Sequence, residues 1–175
     1  MFMTTASEGE EGDISWLDND RQPLLDAGLN VFDYSVTNKT PIEVAEALQT
    51  VSAVCVAGGD TYYLLDHIKK SGFDTIITRL VKEGMPYIGS SAGAIVAGPT
   101  IETSLDDPSI APDLTDFTGL NLCSLSVRPH WGSTYFIDRY KKEFERLYSL
   151  NSPILLLTDN EYLVVENDLY AVKSI

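Results

Sequence analysis

No stretch of this chain approaches the roughly 20 apolar residues that a membrane-spanning helix requires. The opening Met1-Phe2-Met3-Thr4-Thr5 lacks a basic segment leading into a long apolar run, so the expected location is cytoplasmic. Cysteine is scarce. Cys55 and Cys123 lie inside apolar runs, without the close Cys or His spacing of a metal site, and read as buried thiols. Positive charge is also short: 12 Lys and Arg face 26 Asp and Glu, a formal net charge of -14. Such a surface repels phosphate backbones and anionic lipid, which argues against nucleic-acid and membrane partners. Neither G-x-x-x-x-G-K-[ST] nor G-x-G-x-x-G occurs, and no Lys or Arg lies between Lys82 and Arg128. A phosphate would find little compensating charge there, and no cofactor is expected.

What the chain does contain suits one globular domain: 175 residues, 44% hydrophobic and 22% charged. Short β-like runs alternate with helical patterns. Phe2 to Ala6 and Leu29 to Tyr34 read as strands flanking an acidic helical stretch that Pro23 interrupts and Gly28 ends. Thr40, Pro41 and Glu43 form a capping box with Pro at the first helical position. Val51 to Ala57 is a buried strand closed by Gly58-Gly59, and Asp60 caps the next helix, with Leu64, Leu65 and Ile68 on its apolar stripe. Ile76 to Val81 continues helical periodicity. Met85 to Ile88 is a strand, 99–121 an irregular Pro- and Asp-rich segment, and Leu122 to Val127 another strand. Phe136, Ile137, Tyr140, Phe144, Leu147 and Tyr148 mark one helix face, Pro153 to Leu157 is buried, and a hairpin turns at Asn167-Asp168. The alternation predicts an α/β three-layer sandwich: a mostly parallel sheet, helices on both faces and a C-terminal hairpin.

Such sheets bind ligands at the carboxyl ends of their strands. That rule selects the turns Gly58-Gly59-Asp60, Gly89 to Gly93, Arg128-Pro129-His130 and Thr158 to Glu161. Gly89-Ser90-Ser91-Ala92-Gly93 fits G-x-S-x-G, in which a sharp strand-to-helix turn exposes the central serine. Ser91 is therefore the candidate nucleophile, against two rivals: a small-residue packing corner and an anion site. A serine hydroxyl needs a base, and His130 at a strand end suits the part, whereas His67 lies well into a helix. Asp159 and Glu161 compete as the carboxylate that orients the base, with Asp106 outside them. Ala92 N–H and Gly59 N–H are candidate donors to a developing oxyanion.

AGGDTYYLL, YIGSSAGAIVAGPTI, GLNLCSLSVRPHW and DNEYLVV resemble successive blocks of the peptidase E family of serine peptidases, the aspartyl dipeptidases related to cyanophycinase. The resemblance covers nearly the whole chain and implies a class I glutamine amidotransferase-like fold. It implies Ser91 as nucleophile, His130 as general base, Glu161 as the acid orienting it, and Gly59 and Ala92 as the oxyanion hole. Asp106 matches a loop aspartate and ranks second for the acid. The implied activity is hydrolysis of short peptides, dipeptidase-like, with a small peptide as partner.

Three departures accompany the resemblance. Asp60 stands where the family usually has Asn, which adds negative charge near the site and would hinder selection of an aspartyl substrate. The segment WGSTYFIDRYKK is shorter than in the aspartyl dipeptidases and has no arginine in the recognition position, with Arg139 only nearby. The chain resembles the family from its second strand onward, so a sheet edge is expected to be open, which favours cover by a partner such as a second copy. Asp60, Ser90 and Asp106 are the candidate substrate-binding residues, and the acidic loop with Asp106, Asp107, Asp113 and Asp116 could receive a free α-amino group. Two other readings stand beside the peptidase: a catalytically silent member that binds a ligand or partner, and a flavodoxin-like phosphoryl module.

Overall fold

The computed structural model describes residues 1–150 and 153–175, with the side chains of 142–144 and 146 outside that description; the expected helix-face residue Phe144 is among these. Parallel strands β1 (Phe2–Met3), β2 (Asp33–Tyr34), β3 (Val54–Val56) and β4 (Tyr87–Gly89) pair in the order β2-β1-β3-β4. β5 (Ser126–Arg128) and β6 (Ile154–Leu156) form a second parallel pair, with Val127 opposite Leu155. β7 (Glu161–Glu166) and β8 (Leu169–Ser174) close the described chain as an antiparallel hairpin. Its turn residues Asn167 and Asp168 have φ of 49° and 61°, the left-handed pair a tight hairpin demands and short polar side chains tolerate.

Parallel neighbours require crossovers, and the helices supply them. Successive strand side chains point to opposite faces. Met3, Val54 and Val56 therefore enter one core with residues of α2 (Pro41–Leu48), α3 (Thr61–Ser71), α4 (Phe73–Lys82) and α5 (Ala92–Ala97). Phe2, Cys55 and Ala57 enter the opposite core, against Leu17 and Leu24 of α1 (Leu17–Asp26). Phe2 is completely buried, a contribution of about 2–3 kcal/mol relative to an exposed ring. Burial also pushes the Cys55 thiol up to about 11, so it stays protonated and apolar at neutral pH. The α/β expectation is met, with a mostly parallel central sheet and helices on both of its faces.

Helix starts follow the sequence signals. Thr40 Oγ1 accepts from Glu43 N–H at 3.3 Å while the Glu43 carboxylate accepts from Thr40 N–H at 2.9 Å, the reciprocal capping box. Asp60 accepts from Tyr63 N–H at 2.8 Å at the start of α3. Pro23 does not interrupt α1 but sits inside it. The carbonyl that loses its donor belongs to exposed Asn19, where water can take the place of the missing N–H.

Strand starts differ more. Leu29 N–H donates to Leu24 O, Met85 N–H to Leu80 O and Leu122 N–H to Ala97 O. Each of these expected strand residues is thus held by a helix end, and the ladder begins only at Asp33, Tyr87 and Ser126. The segment 99–121 is irregular as expected but anchored, because Ile101 and Leu120 are buried in the larger core. Thr103 Oγ1 donates to Val127 O at 3.1 Å and Arg128 Nη1 donates to Thr103 O at 3.0 Å, tying this loop to β5. Helix α6 (Ile137–Ser149) follows, and Tyr140 OH from it donates to Pro129 O at 2.7 Å. No described helix is long and apolar enough to cross a membrane.

Candidate active site

The turns after β3, β4, β5 and β6 converge. Between β3 and α5 the backbones cross without side chains between them: a Cβ on Gly93 would lie 2.1 Å from Val56 O, and one on Gly89 would lie 2.5 Å from Gly93 O. Both glycines of G-x-S-x-G are thus required by contact. Tyr87 OH, buried and with its ionisation pushed up by that burial, donates to Gly93 O at 2.8 Å and fastens the crossing. The sharp bend that results leaves Ser91 with φ 48°, ψ −110°, outside the usual wells for a side-chain-bearing residue. Ser91 C=O accepts from Ala94 and Ile95 N–H, while Ser90 N–H donates to Val56 O at 2.9 Å. Ser90 thereby pins the turn to β3.

His130, two residues past β5, has φ 62°. Its Nε2 lies 2.9 Å from Ser91 Oγ, and its Nδ1 lies 2.6 Å from Asp159 Oδ1. A carboxylate oxygen only accepts, so Nδ1 carries the proton and Nε2 is free to accept from the serine hydroxyl. The acid facing His130 is Asp159, not the expected Glu161. Both Thr158 N–H (3.0 Å) and Thr158 Oγ1–H (2.8 Å) donate to Glu161 Oε2. These two bonds hold the Glu161 carboxyl below its usual range and turn it into its own loop, while Asp159 reaches out from the tip. Asp106 is also directed elsewhere: it accepts from Thr61 N–H (2.9 Å), Thr61 Oγ1–H (2.7 Å) and Ser104 Oγ–H (2.8 Å). It joins the loop 99–121 to the start of α3.

Gly58 and Gly59 border the serine. A Cβ on Gly58 would lie 3.0 Å from Ser91 Cβ, and one on Gly59, whose φ is +128°, would lie 2.3 Å from the Ala6 carbonyl. Ala92 is the first residue of α5, where an N–H has no acceptor within the helix. Among the described residues no acceptor takes the N–H of Gly59 or of Ala92. Asp60, almost buried, has its carboxyl pushed up to about 6, chiefly by desolvation; Asp106 and Glu10 add to this, and the Tyr63 N–H opposes it. In the acidic loop, Asp107 accepts from Ser109 N–H and Asp116 accepts from Lys69 Nζ at 2.6 Å. Those two carboxylates serve local partners and not the site. His67 packs against Tyr63 at 4.4 Å, away from the serine as its helix position implies. Among the described residues no group of three or more His, Cys, Asp or Glu side chains is placed to hold a metal ion.

Sequence reasoning passed over two contacts here. Phe136, read only as part of a helix face, stacks on His130, and Arg139 carries its guanidinium over Phe136. Their spacing, i and i+3 at a helix start soon after the Pro-His pair, was the available signal.

The arrangement matches known proteins. The model of peptidase family S51 matches residues 1–172. An uncharacterized peptidase of Pasteurella multocida is 29% identical over 175 residues, covering 99% of this chain and 84% of its own. Peptidase E of Streptomyces coelicolor is 30% identical over 154 residues, covering 85% of this chain and 61% of its own. The crystal structure of a Listeria monocytogenes protein described as a candidate peptidase E superposes with a TM-score of 0.90 at 26% identity, covering 100% of this chain and 85% of its own. A model match spanning nearly the whole length, together with these relatives, means that the chain belongs to peptidase family S51, a family of serine-type peptidases.

Proposed function

We propose that the protein hydrolyses short peptides through an acyl-enzyme on Ser91. The observation that carries this reading is the line Ser91 Oγ, His130 Nε2, His130 Nδ1, Asp159 Oδ1, with steps of 2.9 Å and 2.6 Å at its ends. In the first step Ser91 Oγ bonds to the scissile carbonyl carbon as its proton passes to His130 Nε2, and the carbonyl electrons move onto oxygen. Ala92 N–H and Gly59 N–H receive that oxyanion. The C–N bond then breaks as His130 returns the proton to the leaving amine, which departs with its shortened peptide or amino acid. Water, deprotonated by His130, attacks the acyl-serine; the ester bond breaks, and Ser91 regains its proton. Asp159 keeps Nδ1 protonated and stabilises the imidazolium, and Glu161 braces the turn that presents Asp159.

The substrate is a dipeptide-like molecule with a free α-ammonium. Support comes from Asp60, two residues beyond Gly58 on the turn that borders Ser91, with Asp106 and Glu10 electrostatically near it; negative charge on that turn favours a cationic end. Ser90 lines the turn. Hydrolysis of a set of short peptides with free and acylated amino termini tests the reading. Ser91→Ala should abolish turnover, Asp159→Asn should lower kcat by roughly 10³–10⁴-fold, and Glu161→Gln should lower it far less. Turnover retained in Ser91→Ala would overturn the mechanism. Equal rates on blocked and free peptides would remove the α-ammonium from it. A larger loss in Glu161→Gln than in Asp159→Asn would return the acid's role to Glu161.

A further inference from the structure

Two hydrogen bonds hold His130 by opposite edges of its ring, one to Ser91 and one to Asp159. Edge contacts of this kind fix the ring's place but leave its two faces unconstrained, and the ring can tilt about the line joining them. The backbone at His130, φ 62°, is held by Trp131 N–H to Leu157 O and Ser133 N–H to His130 O, bonds that place the side chain's root but do not set the plane of its ring. One face is nevertheless covered. The Phe136 ring lies on it with centroids 4.8 Å apart and planes 17° from parallel. Phe136 is held in turn: Tyr135 meets it edge-on at 4.9 Å, and the Arg139 guanidinium stands 5.6 Å from its centroid. Arg139 Nη1 is 3.6 Å from Asp106 Oδ1. Asp106 is itself fixed by the Thr61 and Ser104 donors. Imidazole, phenyl, guanidinium and carboxylate thus form a column that starts on the β5 turn and ends on the first residue of α3.

We infer that Phe136 is a positioning residue for the reaction, setting the plane of the His130 ring so that Nε2 stays in line with Ser91 Oγ, with Arg139 and Asp106 holding Phe136 in place. The inference rests on the peptidase reading. A parallel aromatic face also has an electrostatic effect. The ring's electron-rich face attracts a cation, so the stack favours the imidazolium that forms when His130 takes the serine proton, a state absent before attack. Phe136 meets the face of the imidazole, whereas Ser91 meets its Nε2 edge. Loss of Phe136 should therefore act on the rate of the bound complex and leave substrate affinity alone.

The test compares Phe136→Leu, which keeps bulk but removes the ring, with Phe136→Tyr, which keeps the ring. Steady-state hydrolysis of short peptides and the rate of Ser91 labelling by a fluorophosphonate are measured for each. Phe136→Leu should lose roughly three- to tenfold in kcat and in labelling rate, with KM within twofold of wild type. Phe136→Tyr should recover most of the loss. A readout independent of turnover is the NMR shift of the His130 ring protons, which the Phe136 ring current moves upfield in wild type and which Phe136→Leu should release. Unchanged kcat in Phe136→Leu, a change confined to KM, or His130 protons without the ring-current shift would each overturn the inference while leaving the peptidase reading intact. Wild-type protein inert toward both peptides and the fluorophosphonate would overturn the peptidase reading and the inference with it.

Discussion

Asp60 serves two opposed demands. As the cap of α3 it accepts from Tyr63 N–H, and as an almost buried carboxyl beside Asp106 and Glu10 it resists ionisation, with its pKa pushed from 3.8 to about 6. A raised carboxyl pKa means that the folded state holds the proton more tightly than the unfolded one. The stability this supplies is fully present below pH 4 and is lost as pH rises through about 6. Asn caps a helix equally well and carries no charge. Asp60→Asn should therefore be more stable than wild type at pH 8, by up to about 3 kcal/mol, and the gain should vanish by pH 4. Urea unfolding of both proteins at pH 4, 6 and 8 checks it; a difference independent of pH would reject the assignment. At this scale the Ser91–His130 pair was legible, because G-x-S-x-G and a strand-end histidine are local patterns that meet at a shared sheet edge. Which carboxylate faces His130 was not. Asp159 and Glu161 lie two residues apart on one turn, and whether a carboxylate turns outward or back onto Thr158 depends on hydrogen bonds that spacing does not reveal.

At the scale of elements, the most demanding contact is the crossing of α5 over β3. A Cβ on Gly93 would lie 2.1 Å from Val56 O, and backbone cannot move aside as a flexible side chain can. Gly93→Ala should destabilise the fold by about 3 kcal/mol, read from the urea midpoint at unchanged slope. A loss under 1 kcal/mol would mean that the crossing is looser than drawn. Helix beginnings were readable from sequence where their chemistry is local, Thr40 with Glu43 and Asp60 with Tyr63, whereas the break at Gly72, φ 70°, between α3 and α4 was not. Strand beginnings were not, because a ladder needs a partner from elsewhere in the chain. Leu29, Met85 and Leu122 are apolar enough for a strand, but their N–H groups are taken by helix-end carbonyls. Pro23 misled in the other direction, since the carbonyl it leaves unmatched belongs to exposed Asn19 and can bond water, as one in a buried helix could not.

For the whole molecule, the α/β class was legible from alternation alone, and the placement of four turns at one edge followed from it. What alternation could not reveal is where the ladder stops. Among the described residues β4 pairs with β3 and β5 pairs with β6, and no ladder joins β4 to β5. The serine belongs to the first group of strands and the histidine and Asp159 to the second, so the 2.9 Å bond between Ser91 and His130 spans a boundary that sheet hydrogen bonds do not cross. Under the proposed mechanism, catalysis acts as a gauge of alignment between two halves. A slip of about 1 Å between them would open that bond while every helix and ladder stayed formed. On gradual heating, peptide hydrolysis should fade several degrees before far-ultraviolet circular dichroism changes and should return on cooling from that interval; simultaneous loss of both signals would show that the halves move as one. Loss of activity ahead of the ladders would mean that the enzyme carries its own thermostat, with working temperature set by the junction and not by the melting of either side.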